Sequence, residues 1–116
     1  MKLNMVTIDC ADPRSLAEFW TKALDLEVGF DADGWFMQLR APADPTQPYL
    51  GLQKVPEERA GKNRVHLDFS TADREAEIDR LVALGATRGA DHTVPGLTWT
   101  VLQDPEGNEF CVGTAH

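Results

Sequence analysis

His66 and Asp68 are the pair of residues best suited to chemistry in this sequence, and a single residue separates them. Side chains two apart in a β-strand point to the same face, so the imidazole and the carboxylate would lie side by side while Leu67 and Phe69 face the core. The pair could serve as a base and its partner, or as a metal ligand and its hydrogen-bonding neighbour. The alternative is that both groups only satisfy polar atoms on a half-hydrated sheet face.

A similar alternation near the start of the chain adds Asp9 to the candidates. Val6, Ile8 and Cys10 would pack under a helix, which turns Asp9 to the polar side of its strand. Asp9 could act together with Asp68, or each carboxylate could simply accept hydrogen bonds from loop amides.

The remaining candidates would bind a ligand rather than react with it. Alternation around Phe110 and Val112 sends Cys111 to the polar side of the last strand. Arg64 could anchor an anionic ligand, although an exposed charge in such a turn is often only solvated. The set is completed by three residues whose strand phase the sequence leaves open, and which could line a pocket or belong to the core: Gln53, Trp35 and Trp99.

Composition excludes several classes of function. The chain has 116 residues, 42% of them hydrophobic, which fits one globular domain. Its formal net charge of −8 disfavours nucleic acid and anionic membranes as partners, since both require a basic face. The chain has no apolar run of membrane-spanning length and no apolar signal segment at its start, so a cytoplasmic location is expected. The two cysteines are expected to be reduced thiols.

The hydrophobic pattern predicts the same order of elements twice: a strand, a helix and three strands. Asp12 and Pro13 favour the start of a helix, and the stretch Asp104-Pro105-Glu106-Gly107 favours a tight turn. The first set of strands is predicted at 3–10, 26–30, 35–39 and 49–55, with a helix at 13–24. The second set is predicted at 64–70, 86–90, 98–103 and 109–113, with a helix at 72–84.

This repeated order predicts an α+β fold in which two βαβββ modules, residues 1–56 and 62–116, form a single domain. The halves align with an offset of about sixty residues, which indicates internal duplication. Two such modules would carry helices on their outer faces and would enclose a concave polar cleft, which is where pockets are built.

The motifs resemble those of the vicinal oxygen chelate superfamily, which includes glyoxalases, bleomycin-resistance proteins and extradiol dioxygenases. The likeness is strongest to the small glyoxalase-like domain proteins. The residues that carry it span nearly the whole chain: Asp12 and Pro13, 16–20, Leu24, 61–68, 84–86 and 104–110. The resemblance implies the two-module fold but leaves the activity open, because one fold hosts many activities.

In the metalloenzymes of this superfamily, His, Glu or Gln side chains from both modules hold a divalent metal. His66 matches the histidine of the second module. The corresponding place in the first module is Met5 or Thr7, and neither is a reasonable ligand. Cys111 stands where the last strand usually carries a glutamate.

A divalent metal needs at least three converging donors. A set of His66, Cys111 and Gln53 with Asp9 or Asp68 is conceivable but unorthodox. The sequence therefore predicts no metal and no other cofactor, and the alternative is a divalent metal held by His66.

The resemblance to members without a metal implies recognition of a small organic molecule in the cleft. The competing hypothesis is a metal-dependent lyase, isomerase or dioxygenase that uses His66. A homodimer is expected, since uncovered sheet edges favour pairing. Nucleic acid and membrane partners are not expected. The ligand is predicted to lie against residues of both modules: His66, Asp68, Asp9, Gln53, Trp35, Trp99 and Cys111.

Overall fold

The protein consists of two compact units, and the second begins at Arg59. The computed structural model describes residues 1–114. The division lies inside the connector, residues 56–62, that separates the predicted modules. Each unit contains one four-stranded sheet and one helix, so the predicted α+β fold of two βαβββ modules is confirmed. Neither helix within residues 1–114 has the length and apolarity needed to span a bilayer.

The first unit contains one helix beside a sheet in which one pair of strands is parallel. Its elements are β1 (Met5–Cys10), α1 (Pro13–Leu24), β2 (Glu27–Asp31), β3 (Phe36–Arg40) and β4 (Tyr49–Lys54). The strand order is β1-β4-β3-β2, with β1 parallel to β4 and the other pairs antiparallel.

The second unit repeats this arrangement. Its elements are β5 (Leu67–Thr71), α2 (Arg74–Leu84), β6 (Thr87–Val94), β7 (Leu97–Gln103) and β8 (Glu109–Thr114). The strand order is β5-β8-β7-β6, and β5 is parallel to β8.

Helix α1 begins and ends where the sequence predicts. The Asp12 carboxylate accepts a hydrogen bond of 3.2 Å from the Ser15 backbone N–H, and Pro13 occupies the first turn, where it needs no amide hydrogen. Asp25 ends the helix in the left-handed conformation, with φ at 52°. The buried face of α1 includes Leu16 and Trp20.

Each sheet buries the face that its helix covers, and we call the other face helix-distal. In the first unit, Leu39 and Leu52 are fully buried beside α1. In the second unit, Ile78 of α2 lies over a sheet face that includes Leu102 and Phe110. Burying a side chain of this size contributes about 1.5–3 kcal/mol, so these faces fix which side chains point away from the helices.

Two predicted strands have different bounds in the structure. The strand expected at 64–70 begins at Leu67, because pairing with β8 begins there, opposite Phe110. His66 therefore precedes the strand rather than lying inside it. The strand expected at 86–90 is the longer β6, which turns into β7 through Pro95 and Gly96, with φ at 81° for the glycine. Proline followed by a glycine at positive φ is typical of a type II turn.

Candidate functional site

The helix-distal face of the second sheet gathers half of the predicted site residues. Asp68 of β5 lies directly opposite Cys111 of β8 in the parallel register, and Cys111 lies opposite Val101 of β7. Trp99, two residues from Val101, shares this face. The predicted alternation of β5 and β8 is correct, since Leu67 is paired with Phe110 on the face that α2 covers.

His66, Asp68 and Cys111 form a compact cluster at one side of this face. The Nδ1 atom of His66 lies 3.0 Å from the Asp68 carboxylate and 3.8 Å from the Cys111 sulfur. The donor atoms of the three residues all lie within 4.8 Å of one another. His66 and Asp68 are exposed, whereas Cys111 is buried. The predicted contact between the imidazole and the carboxylate is thus present, and Cys111 joins it.

The cluster does not activate Cys111 as a nucleophile. Burial, followed by the negative charge of Asp68, raises the pKa of Cys111 to about 11, so the thiol keeps its proton at neutral pH. In a Cys-His-Asp triad, the two nitrogens of the histidine ring serve the thiol and the carboxylate separately. Here the same nitrogen of His66 lies nearest both groups.

A concavity of about 720 Å³ covers this face, and all of its described lining residues belong to the second unit. Its polar groups come from the connector and from strands β5 and β8: Lys62, His66, Asp68, Glu109 and Cys111. Its larger apolar and aromatic groups include three from strands β6 and β7: His92, Trp99 and Val101. The concavity therefore has one polar side and one aromatic side.

His92 is a site residue that the sequence analysis missed. Its ring stacks on Trp99, with centroids 5.4 Å apart and planes 21° apart. Because the strand was predicted to end at residue 90, His92 was left outside it. The missed signal is the Pro95-Gly96 turn between Val94 and Leu97, which predicts a hairpin and extends the strand through His92.

Arg59 anchors the segment between β4 and β5, which carries Lys62 and His66. Its guanidinium donates hydrogen bonds to the Asn63 side chain and to the Glu109 carboxylate of β8. Glu109 therefore neutralises a connector arginine rather than presenting a free charge. Arg64 is exposed, and it is not among the described residues that line the concavity.

The predicted site residues of the first unit lie on more than one face of their sheet. Asp9 is in register with Gln53, and Phe36 is the β3 residue opposite Gln53, so these three share the helix-distal face. Trp35 precedes β3, and its carbonyl accepts a hydrogen bond from the Lys54 amide. The Lys54 ammonium also lies 4.7 Å from the Trp35 ring centroid. Phe36, rather than Trp35, therefore lies opposite Gln53, and the role of Trp35 in ligand binding stays a prediction.

The sequence matches one protein-family model, that of the glyoxalase-like domain, over residues 5–113. The chain belongs to the glyoxalase-like domain family. No curated protein matches it significantly in sequence.

Several solved structures have the same fold as this chain. A glyoxalase/bleomycin resistance protein/dioxygenase family enzyme from Burkholderia phytofirmans is similar over 100% of both chains, with a TM-score of 0.81 and 21% identity. A fosfomycin resistance protein from Mesorhizobium loti has a TM-score of 0.71 and 13% identity over 97% of this chain and 90% of its own. A lactoylglutathione lyase from Agrobacterium tumefaciens has a TM-score of 0.70 and 17% identity over 97% of this chain and 92% of its own. Together with the family match, these similarities confirm membership of the vicinal oxygen chelate superfamily.

The glyoxalase-like first unit does not fit a metal centre that draws donors from both modules. Met5 and Thr7, at the expected ligand positions, offer a thioether and a hydroxyl. Gly51 of the neighbouring strand offers no side chain, and a Cβ there would lie 2.8 Å from the Thr7 hydroxyl and 2.9 Å from the Met5 sulfur. A residue with a metal-binding side chain at position 51 would therefore displace the side chains of Thr7 and Met5.

Proposed function

We propose that this glyoxalase-like chain binds a small organic molecule on the helix-distal face of its second sheet. The observation that carries the proposal is the concavity of about 720 Å³ with one polar and one aromatic side. Ligand sites typically have volumes of roughly 300–1,000 Å³, apolar linings and a few converging polar groups. Binding does not require the two-module metal centre, for which Met5 and Thr7 are poor donors.

The aromatic side favours a ligand with a flat ring. Trp99 is partly buried, and its ring is stacked on that of His92. A third ring placed on this pair would gain about 0.5–1.5 kcal/mol beyond its area burial. The imidazole of His66 and the carboxylate of Asp68 would then orient the polar substituents of the ligand.

A metal-dependent lyase, isomerase or dioxygenase that uses His66 is the weaker alternative. The family arrangement needs a donor at Met5 or Thr7, which this chain does not provide. The expectation that Asp9 and Gln53 contact the same ligand as His66 stays a prediction.

Naphthol and its saturated analogue decahydronaphthol provide a direct test, because they share a hydroxyl and differ in flatness. We expect naphthol to shift the NMR signals of the Trp99 indole and of neighbouring amides in chelator-treated protein, and to bind more tightly than its analogue. Trp99→Leu should weaken binding about ten-fold, which corresponds to about 1.4 kcal/mol. Trp35→Leu changes an exposed tryptophan of the first unit and should have no effect. If neither compound perturbs the concavity, the proposal is wrong.

We also propose that the protein forms a homodimer through a sheet edge. Strands β2 and β6 are edge strands, and every residue in both is exposed. Phe30 of β2 is 53% exposed, which is unfavourable for an apolar ring on an unpaired edge. Pairing with a second copy would cover such an edge.

A further inference from the structure

The polar groups of the concavity lie near the start of strand β8. The parallel pairing of β5 with β8 begins at Phe110, so His66, which directly precedes β5, lies close to the first residue of β8. That first residue, Glu109, binds Arg59 from the segment between β4 and β5. Lys62 lies in the chain between Arg59 and His66, and it lines the concavity. The lysine therefore belongs to this polar end.

The aromatic groups lie at the other end of β8. Trp99 is opposite Gly113 in the antiparallel register of β7 with β8, and His92 of β6 is opposite Trp99. Glu109 and Gly113 are four residues apart on one face of β8, which corresponds to about 13 Å at the rise of an extended strand. A ligand that contacts the groups at both ends is therefore elongated.

Gly113 leaves the sheet surface beside Trp99 uncovered. Both residues line the concavity. A Cβ atom at position 113 would lie 3.6 Å from the Thr98 carbonyl oxygen and 3.7 Å from the Trp99 Cβ, which are ordinary contact distances. The backbone would thus tolerate a side chain here, and the space that such a side chain would fill is open to a ring that contacts Trp99.

The charged groups of the concavity differ in whether the protein itself supplies their partners. The Glu109 carboxylate accepts a hydrogen bond from Arg59, and the Asp68 carboxylate lies 3.0 Å from the His66 imidazole. The Lys62 ammonium, in contrast, makes no hydrogen bond or ion pair with any of residues 1–114. An anionic group on the ligand would provide this ammonium with a partner, and charge-assisted hydrogen bonds are the stronger kind.

We propose that the ligand of the concavity is an elongated aromatic anion, with its ring beside Trp99 and its anionic group at Lys62. This assignment rests on the proposed binding of a small organic molecule to the same face. Lys62 and Arg64 lie in the same turn before β5, but Arg64 is not among the described residues that line the concavity. Lys62 is therefore the residue that determines specificity for an anion.

A series of ligands that share a naphthyl ring and a propyl chain tests the charge preference. At neutral pH, 3-(2-naphthyl)propanoic acid is an anion, the corresponding alcohol is neutral and the corresponding amine is a cation. Their dissociation constants can be measured in chelator-treated protein at low salt from the NMR signals of the Trp99 indole and of neighbouring amides. We expect the acid to bind about ten-fold more tightly than the alcohol, and the amine to bind most weakly. Added salt should reduce the advantage of the acid.

Replacement of Lys62 should remove this preference. In Lys62→Gln the acid should bind no more tightly than the alcohol, whose own affinity should stay unchanged. Lys62 is exposed and lies outside every described helix and strand, so the substitution leaves the fold intact. Lys2→Gln is the matched control, because it removes the same charge from an exposed lysine of the first unit and should keep the preference.

Gly113→Val tests the position of the ring. Valine is favoured in strands, and its methyl groups would occupy the space beside Trp99. All three compounds should therefore bind about ten-fold or more weakly, while the melting temperature stays close to that of the wild type. Unchanged binding in a folded Gly113→Val protein would overturn the placement of the ring. If this variant fails to fold, the comparison of Lys62→Gln with the wild type still decides the proposal.

Failure of this inference differs from failure of the proposed function. If none of the three compounds perturbs the concavity, both are wrong. If the compounds bind but the alcohol or the amine equals the acid in affinity, only the anionic ligand class is overturned. The same conclusion follows if the preference for the acid survives Lys62→Gln and is lost in Arg64→Gln, since the anion would then be held elsewhere.

Discussion

Thr100 of β7 and Asp91 of β6 are opposite residues, and the buried Thr100 hydroxyl donates a hydrogen bond of 2.7 Å to the Asp91 carboxylate. Arg74 of α2 donates to the same hydroxyl and, at 3.4 Å, to the same carboxylate. This pair comes directly after a shift in the register of β6 with β7, which lies between Arg88 and Asp91. The Thr100 hydroxyl therefore takes part in the contact between the irregular edge strand and the helix on the core side of the sheet.

Replacing Thr100 with valine should lower the free energy of unfolding by about 1–3 kcal/mol, because Arg74 and Asp91 lose a partner while the shape of the side chain is kept. Thr100 is 0% exposed, so water cannot replace the hydroxyl. Thr98→Val is the control on the same strand, since its hydroxyl only approaches that of Thr93, at 3.3 Å in an exposed pair. Urea unfolding measures both variants, and equal losses would contradict the prediction.

The same network should make the protein less stable in acid. Hydrogen bonds from Thr100 and Arg88 hold the pKa of Asp91 below its ordinary value of 3.8, and the hydrogen bonds from Arg88 likewise lower the pKa of Glu75. A carboxyl whose folded-state pKa is lowered stabilises the fold above its unfolded pKa, and this contribution is lost as the pH falls through the folded pKa.

Urea unfolding between neutral pH and about pH 3 should therefore show a decrease in stability that begins near pH 4 and is smaller in Asp91→Asn. Asp79→Asn removes an exposed carboxylate of α2 and should keep the wild-type pH dependence. Identical pH profiles for wild type and Asp91→Asn would rule out this source of acid sensitivity.

The turn before β8 should depend on the Asp104 carboxylate. Asp104 is 2% exposed and accepts hydrogen bonds from the amides of Glu106 at 2.9 Å and Asn108 at 3.0 Å. Asp104→Ala should cost about 2–3 kcal/mol, because these donors are left without a charged acceptor. Asp44→Ala removes a comparable carboxylate that accepts from Thr46 in an exposed loop, and it should cost less than about 1 kcal/mol. Thermal and urea unfolding of the two variants would show whether burial makes this difference.

The proposed homodimer predicts a dimer mass in sedimentation at micromolar concentration. Phe30→Lys places a charge on the exposed edge strand β2 and should shift the equilibrium towards monomer. Leu3→Lys adds the same charge at a position that is 65% exposed and outside every described strand, and it should leave the dimer unchanged. A monomer mass for the wild type at all concentrations would end the proposal.

Local interactions were enough to predict the features of the chain that depend on neighbouring residues. The bounds of α1 follow from Asp12 and Pro13, whose effects act within one helical turn. The face occupied by Asp9 and the face occupied by Asp68 follow from strand alternation, which requires only the hydrophobic neighbours of each residue. The duplicated order of elements followed from the same local patterns.

Tertiary structure alone decided that Cys111 joins His66 and Asp68. Cys111 and His66 are 45 residues apart in the sequence, and only the parallel pairing of β5 with β8 brings them together with Asp68. The phase of Trp35 was likewise undecided until the pairing of β3 with β4 placed Phe36 opposite Gln53. A shift of one residue in such a pairing moves every side chain to the other face, and this register is fixed by contacts between strands rather than by the sequence of one strand.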